Sequence, residues 1–261
     1  MFLAPDGHSR IWTRPIGLLI PRPPTITPIS DACYGGLGGW AQGHPLIWRL
    51  NKADLEACGF ILPTGREPTE AEKKEMNFDH INILEFVAVI VNIWVAVRYL
   101  MLQPRRTAHV IMNVLSDNTS GLSWMKHAAR SKKKPVSRLA RFLQALLTYC
   151  PLPIRVQGDH IKGNKSTVVD LLSQFTLAPY WASVIAQTSP TLDLSKACQV
   201  PQELLSKLAL LLRSDGDAAM SESEMTRLWT LELKYLPPGW QASTLMTSLC
   251  RKSRRPRPYP S

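Results

Sequence analysis

The chain has 261 residues, 45% of them hydrophobic and 20% charged, which is enough to bury one good core with room for a smaller second unit. Its net charge is +11, and the excess is concentrated: Lys126–Arg141 (KHAARSKKKPVSRLAR) holds seven Lys/Arg and no acid, and Arg251–Arg257 (RKSRRPR) holds five more, leaving 19 basic residues against 20 acids elsewhere. Two basic patches on a near-neutral body point to a polyanionic partner, most simply nucleic acid. The five cysteines are scattered and form no CxxC pair, which argues against a zinc site or a disulfide framework and fits a reducing, intracellular compartment. The amino-terminal MFLAPDGHSRIWTRP lacks the basic-then-apolar order of a signal peptide.

Residues 1–23 are Pro-rich and irregular. Thr25–Ser30 reads as a strand running into Asp31, in the stretch SDACYGGLGGW. Trp40–Gln42 and Leu46–Leu50 are further strand pieces of an antiparallel meander, separated by glycines and a Gly43-His44-Pro45 turn. Residues 62–78 are polar and read as a loop with a short helical piece. Ile83 to about Met101 is too long for a strand and apolar nearly all round, so a helix buried on more than one side is expected. Its most apolar part, Ile83–Val97, is 15 residues long and interrupted by Glu85 and Asn92. That falls short of the roughly 20 residues a bilayer-spanning helix needs, and no membrane segment is expected.

His109–Ser116 reads as a strand ending at Asp117, followed by helices at Thr119–Ala129 and Ser137–Tyr149. Leu152–Gln157 is a fifth strand, GDHIKGNKS a loop, and Thr167–Phe175 a short helix. The order β-β-β-α-β-α-α-β-α predicts an α/β fold: a five-stranded mixed sheet with helices on both faces. Beyond about Ala178 the character changes to Pro-punctuated amphipathic helices such as Pro201–Arg213. The expected division is therefore 24–178 for the α/β domain and 179–261 for a helical extension with a basic, Pro-rich tail.

Four acids stand at element ends or in apolar surroundings. Asp31 follows the first strand, Glu85 is the only acid of the long helix, Asp117 ends the fourth strand, and Asp170 is the only acid of the last short helix. A carboxylate in an apolar helix is costly unless paired or metal-bound. Carboxyl ends of strands are where open α/β sheets place their sites. Clustered carboxylates need a cation, and oxygen-only ligands suit Mg²⁺ or Mn²⁺. Two such ions about 4 Å apart form a device for in-line attack on a phosphodiester. Taken singly, each aspartate also reads as an ordinary turn former or surface acid.

The motifs SDACYGGLGGW, HINILEFVAV, VLSDNTS and DHIKGNKSTVVDLLSQ occur in this order between about Pro24 and Phe175. In these pieces the chain resembles the RNase H domain of retroelement reverse transcriptases, most closely that of DIRS-like or gypsy-like elements. The resemblance implies an RNase H-like three-layer α/β/α fold and a metal site of Asp31, Glu85, Asp117 and Asp170 holding two Mg²⁺ or Mn²⁺ ions. It also implies a mobile-loop histidine at His160 and a loop glycine at Gly163. Ser166, Val169 and Gln174 depart from the family's usual Asn, Ala and Arg. The nucleic-acid-binding set it implies is Asn82, Asn118, Lys126, Arg130, Lys132, Lys133, Lys134 and Arg138. No Tyr-x-Asp-Asp motif is present, so the polymerase portion of such a polyprotein would be a separate partner.

Gly36-Leu-Gly38-Gly39-Trp-Ala41 formally matches a dinucleotide-binding G-x-G-x-x-A, but Trp40–Pro45 cannot start the helix that reading requires. On the resemblance, the glycines are a slender strand and turn close to a passing nucleic-acid backbone. The expected function is a metal-dependent endoribonuclease cutting the RNA strand of RNA–DNA hybrids. The competing readings are a catalytically inactive nucleic-acid-binding module or remnant, and an integrase or transposase on the same general fold.

Overall fold

The structure is a computed structural model of the chain and describes residues 23–61, 80–103, 109–127, 134–163, 167–173, 197–213 and 220–235. The elements are β1 (Thr27–Cys33), β2 (Gly36–Gln42), β3 (Leu46–Asn51), α1 (Lys52–Cys58), α2 (His80–Leu102), β4 (Val110–Ser116) and α3 (Thr119–His127). They continue with α4 (Lys134–Thr148), β5 (Ile154–His160), α5 (Thr167–Ser173), β6 (Ala197–Gln199), α6 (Gln202–Arg213), α7 (Glu222–Thr230) and β7 (Lys234–Tyr235).

The strands form one mixed sheet in the order β5-β4-β1-β2-β3-β6-β7. β1, β2 and β3 are an antiparallel meander, with Gly43 taking the positive φ of 75° that the β2–β3 turn requires. β4 runs parallel to β1, and β5 parallel to β4, in register from Val110↔Ile154 to Ser116↔His160. The described sheet has seven strands, not the expected five. The two additional strands come from the region read as purely helical. β6 has three residues and β7 two, too few to display the alternation by which a strand is recognised. Helix α1 was also missed, although Asn51 and Asp54 form a reciprocal capping box at its start and Gly59 ends it with φ 79°.

Helices cover both faces of the sheet. Successive strand residues point to opposite faces, and β2 shows the consequence at adjacent glycines. A methyl group on Gly38 would lie 2.5 Å from Leu172 of α5, whereas one on Gly39 would meet Trp48 and Asn92 of the α2 face. Leu37 and Ala41 therefore join Trp48 and the long helix in the main core. Every residue of α2 from Ile83 to Leu100 is buried. The helix is long and apolar enough by composition to cross a membrane, but the qualifying stretch is 100% buried inside the fold.

The carboxy-terminal helices close that core. Trp94 of α2 donates its indole N–H to the Leu228 carbonyl at 3.0 Å, and Arg98 donates to the Trp229 carbonyl at 2.6 Å. Trp229 in turn donates to the Leu146 carbonyl of α4 at 2.9 Å. Three buried side chains thus find backbone acceptors where the carboxy-terminal helix meets α2 and α4.

Candidate metal centre

The parallel pairing of β1, β4 and β5 sets three carboxyl ends along one edge of the sheet. Asp31 lies inside β1, two residues before its end, not after the strand as expected, because β1 pairs with β2 through Cys33↔Gly36. Ile29 pairs with Leu115, so continuing the register carries Asp31 toward Asp117, the residue after β4. Glu85 comes from the second turn of α2, and its carboxyl hydrogen-bonds to the backbone of Ala32 and to Asp31.

Carboxylate oxygens of Asp31, Glu85 and Asp117 lie within 4.8 Å of one another. Asp31 and Glu85 are buried, at 8% and 5% exposure. Burial pushes the Glu85 carboxyl up to about 9, and the Asp31 and Asp117 charges push the same way. Burial likewise raises Asp31 to about 6; a hydrogen bond from Ser173 opposes the rise, and the charges of Asp170 and Asp117 add to it. Glu85 is therefore the proton-bearing partner of a hydrogen-bonded carboxyl pair. Its Oε2 is buried without a hydrogen-bond partner. Among the described residues no Lys or Arg forms an ion pair with these three acids.

Three carboxyls crowded this closely, two of them buried and one with an orphaned oxygen, are the arrangement a cation relieves. The donor set is all oxygen, which fits a hard divalent ion. Asp170, in the first turn of α5, stands outside the set of three, although its charge reaches Asp31. The structure thus brings three of the four expected acids together and sets the fourth beside them.

His160 is the last residue of β5, not a loop residue, and is exposed. It was misplaced because pairing with β4 continues to its end: Ser116 faces His160, and Ile161 N–H donates to the Ser116 carbonyl at 3.1 Å. The following chain passes beside Asp117: a methyl group on Gly163 would lie 3.7 Å from Asp117 Oδ2. Ser166 lies outside the described residues.

The expected nucleic-acid-binding residues divide. Asn118 donates its side-chain amide to Asn82 Oδ1 at 2.7 Å and accepts from Gly121 N–H at 3.0 Å. This pair ties the start of α2 to the β4–α3 junction beside Asp117. Lys126 and Lys134 are exposed. Arg138 is 6% exposed and donates from Nε to the Leu211 carbonyl at 2.5 Å and from a terminal N to the Leu212 carbonyl at 3.2 Å. Its guanidinium caps the end of α6 and is not presented outward. It was misassigned because it belongs to the basic run in sequence, while its place on the buried face of α4 is set by helical spacing. Arg130, Lys132 and Lys133 lie outside the described residues.

Ser173 was missed. Its buried hydroxyl donates to Asp31 Oδ2. The available signal was its position three residues after Asp170, one turn along the same helix. The glycines are strand residues, Gly36 and Gly38 lying within β2, and the missing side chain of Gly38 admits α5. Compared with known proteins, the chain matches no family model, no curated protein and no solved structure.

Proposed function

We propose that this chain is an RNase H-type endoribonuclease that cuts the RNA strand of RNA–DNA hybrids, as part of a retroelement reverse transcriptase. The observation that carries this reading is the meeting of Asp31, Glu85 and Asp117 within 4.8 Å, with Glu85 Oε2 unpartnered, at the edge where three parallel strands end. Three sequence motifs far apart in the chain thus deliver their acids to one place. The resemblance and the chemistry of the donor set are the further supports.

In this reading Asp31, Glu85 and Asp117 hold Mg²⁺ or Mn²⁺, with Asp170 completing a two-ion site. When bound, such ions generate the nucleophilic water and offset charge at the scissile phosphate and leaving oxygen. To ligate as a carboxylate, Glu85 would have to release its proton to solvent. His160, exposed at the end of β5 close to the Asp117 junction, serves in proton transfer or product release. Lys126 and Lys134, with the basic segment other than Arg138, hold the phosphate backbone without reading sequence. The polymerase portion of the same polyprotein is the natural partner.

The test is a labelled hybrid incubated with the purified chain and Mg²⁺. RNA-strand fragments that disappear with EDTA and with Asp117→Asn are expected. A folded chain that binds the hybrid and leaves it intact is the inactive binding module instead.

A further inference from the structure

The glycines of β2 and the last residue of α5 belong to one arrangement. A methyl group on Gly36 would lie 3.0 Å from the Ser173 carbonyl oxygen, and one on Gly38 would lie 2.5 Å from Leu172 Cβ and 3.2 Å from Ser173 N. Real side-chain carbons do not approach another atom as closely as 2.5 Å, so glycine at position 38 lets the last turn of α5 settle onto β2, while a methyl group on Gly36 would first meet the Leu50 carbonyl oxygen of β3. The approach brings the Ser173 hydroxyl, which is fully buried, to Asp31 Oδ2. The same hydroxyl lies 3.1 Å from the Asp170 carbonyl oxygen. The Ser173 carbonyl accepts from the Cys33 thiol at 3.1 Å, two residues beyond Asp31 on β1. One residue is therefore bound to the strand that carries one acid and to the helix that carries another.

We propose that Ser173 is a positioning residue of the metal centre: its hydroxyl holds one oxygen of Asp31 and leaves the other for the cation. The proposal rests on the metal-site reading above and names a residue of that site outside the four acids. The terminal torsion of an aspartate is soft, with a broad range of orientations. A hydrogen bond to one oxygen narrows that range. A hydroxyl does so without positive charge, so it does not compete with the cation as a lysine would. Partners of this kind behind a metal ligand are worth about 10- to 100-fold in metal affinity.

The experiment is calorimetric titration of the purified full chain with Mn²⁺ after EDTA treatment and buffer exchange, which reads the site without turnover. Wild type should bind, and Ser173→Ala should bind about 10- to 100-fold more weakly. Ser173→Cys nearly preserves the volume and replaces the hydroxyl by a weak donor. If its circular dichroism and melting temperature match wild type, its lost affinity belongs to the hydrogen bond and not to a disturbed fold. Equal affinity in wild type and the folded Cys variant overturns the proposal, and so does a wild type that takes up no Mn²⁺. A parallel hybrid-cleavage assay keeps the two readings apart. Mn²⁺ binding that depends on Ser173 in a chain that leaves hybrids intact sinks the nuclease reading and upholds the positioning role.

Discussion

Asp31 and Asp117 each lie two residues beyond the paired Ile29 and Leu115 on neighbouring parallel strands. Their proximity is set by backbone register, which a side-chain exchange leaves intact. Asp117→Asn should therefore keep the fold and the shape of the site while removing one of the charges that hold a cation. Hybrid cleavage should fall by roughly 10²-fold or more, the scale of losing one electrostatic stabiliser of a transition state. Hybrid affinity by gel shift should persist or rise, since one negative charge near the phosphates has gone. Undiminished cleavage by the purified variant would exclude Asp117 from the metal site.

The raised carboxyl of Glu85 makes the metal-free fold sensitive to alkali. Between its ordinary value of 4.5 and its folded value of about 9, the native state keeps a proton that the unfolded chain has released. The native state then binds more protons, and stability falls as pH rises, by up to about 1.4 kcal/mol per pH unit. Glu85→Gln should flatten this slope in urea melts run in EDTA across pH roughly 5 to 8, and Mg²⁺ should counter the loss in wild type. Parallel slopes for wild type and variant would show that Glu85 is not the group responsible.

Arg138 and its basic neighbours should separate into two kinds. Replacing exposed Lys126 and Lys134 by alanine should weaken hybrid binding and lower the slope of log K against log salt by roughly one for each phosphate no longer neutralised. Arg138→Ala should leave that slope alone and lower stability by about 1–3 kcal/mol, because the Leu211 and Leu212 carbonyls lose their donor. A changed salt slope in Arg138→Ala, with unchanged melting, would reverse the assignment.

Gly38→Ala should destabilise by about 1–3 kcal/mol, the usual cost of forcing extra atoms into a packed site. The added carbon has backbone of α5 as well as Leu172 in its way. A melting temperature equal to wild type would mean that α5 yields freely, and the close seat of this helix would lose its significance.

The long helix and the meander were legible because their signals are extended: an apolar run of helical length, and strands bounded by glycines. Asp31, Glu85 and Asp117 were legible as odd carboxylates in apolar elements, where burial makes an acid conspicuous. What escaped depends on tertiary neighbours. β6 and β7 are strands only because β3 offers an edge to pair with. His160 is a strand residue only because β4 extends as far. Arg138 sits in a basic run whose polar character is a surface signal, yet helical geometry turns it inward. The glycine run was legible as a slender strand and turn, but not as the seat of α5, because composition does not name the element that packs against a bare strand.

The tie between Trp94, Arg98 and the α7 carbonyls has a consequence for synthesis. Chains are made from the amino end, so α2 leaves the ribosome well before the residues that accept its indole and guanidinium protons. Until Leu228 and Trp229 arrive, one end of that helix carries unpaired polar groups beside an uncovered apolar surface, while Glu85 rides on the other end. A chain arrested before α7 therefore holds its core helix without the acceptors and the cover that α7 brings.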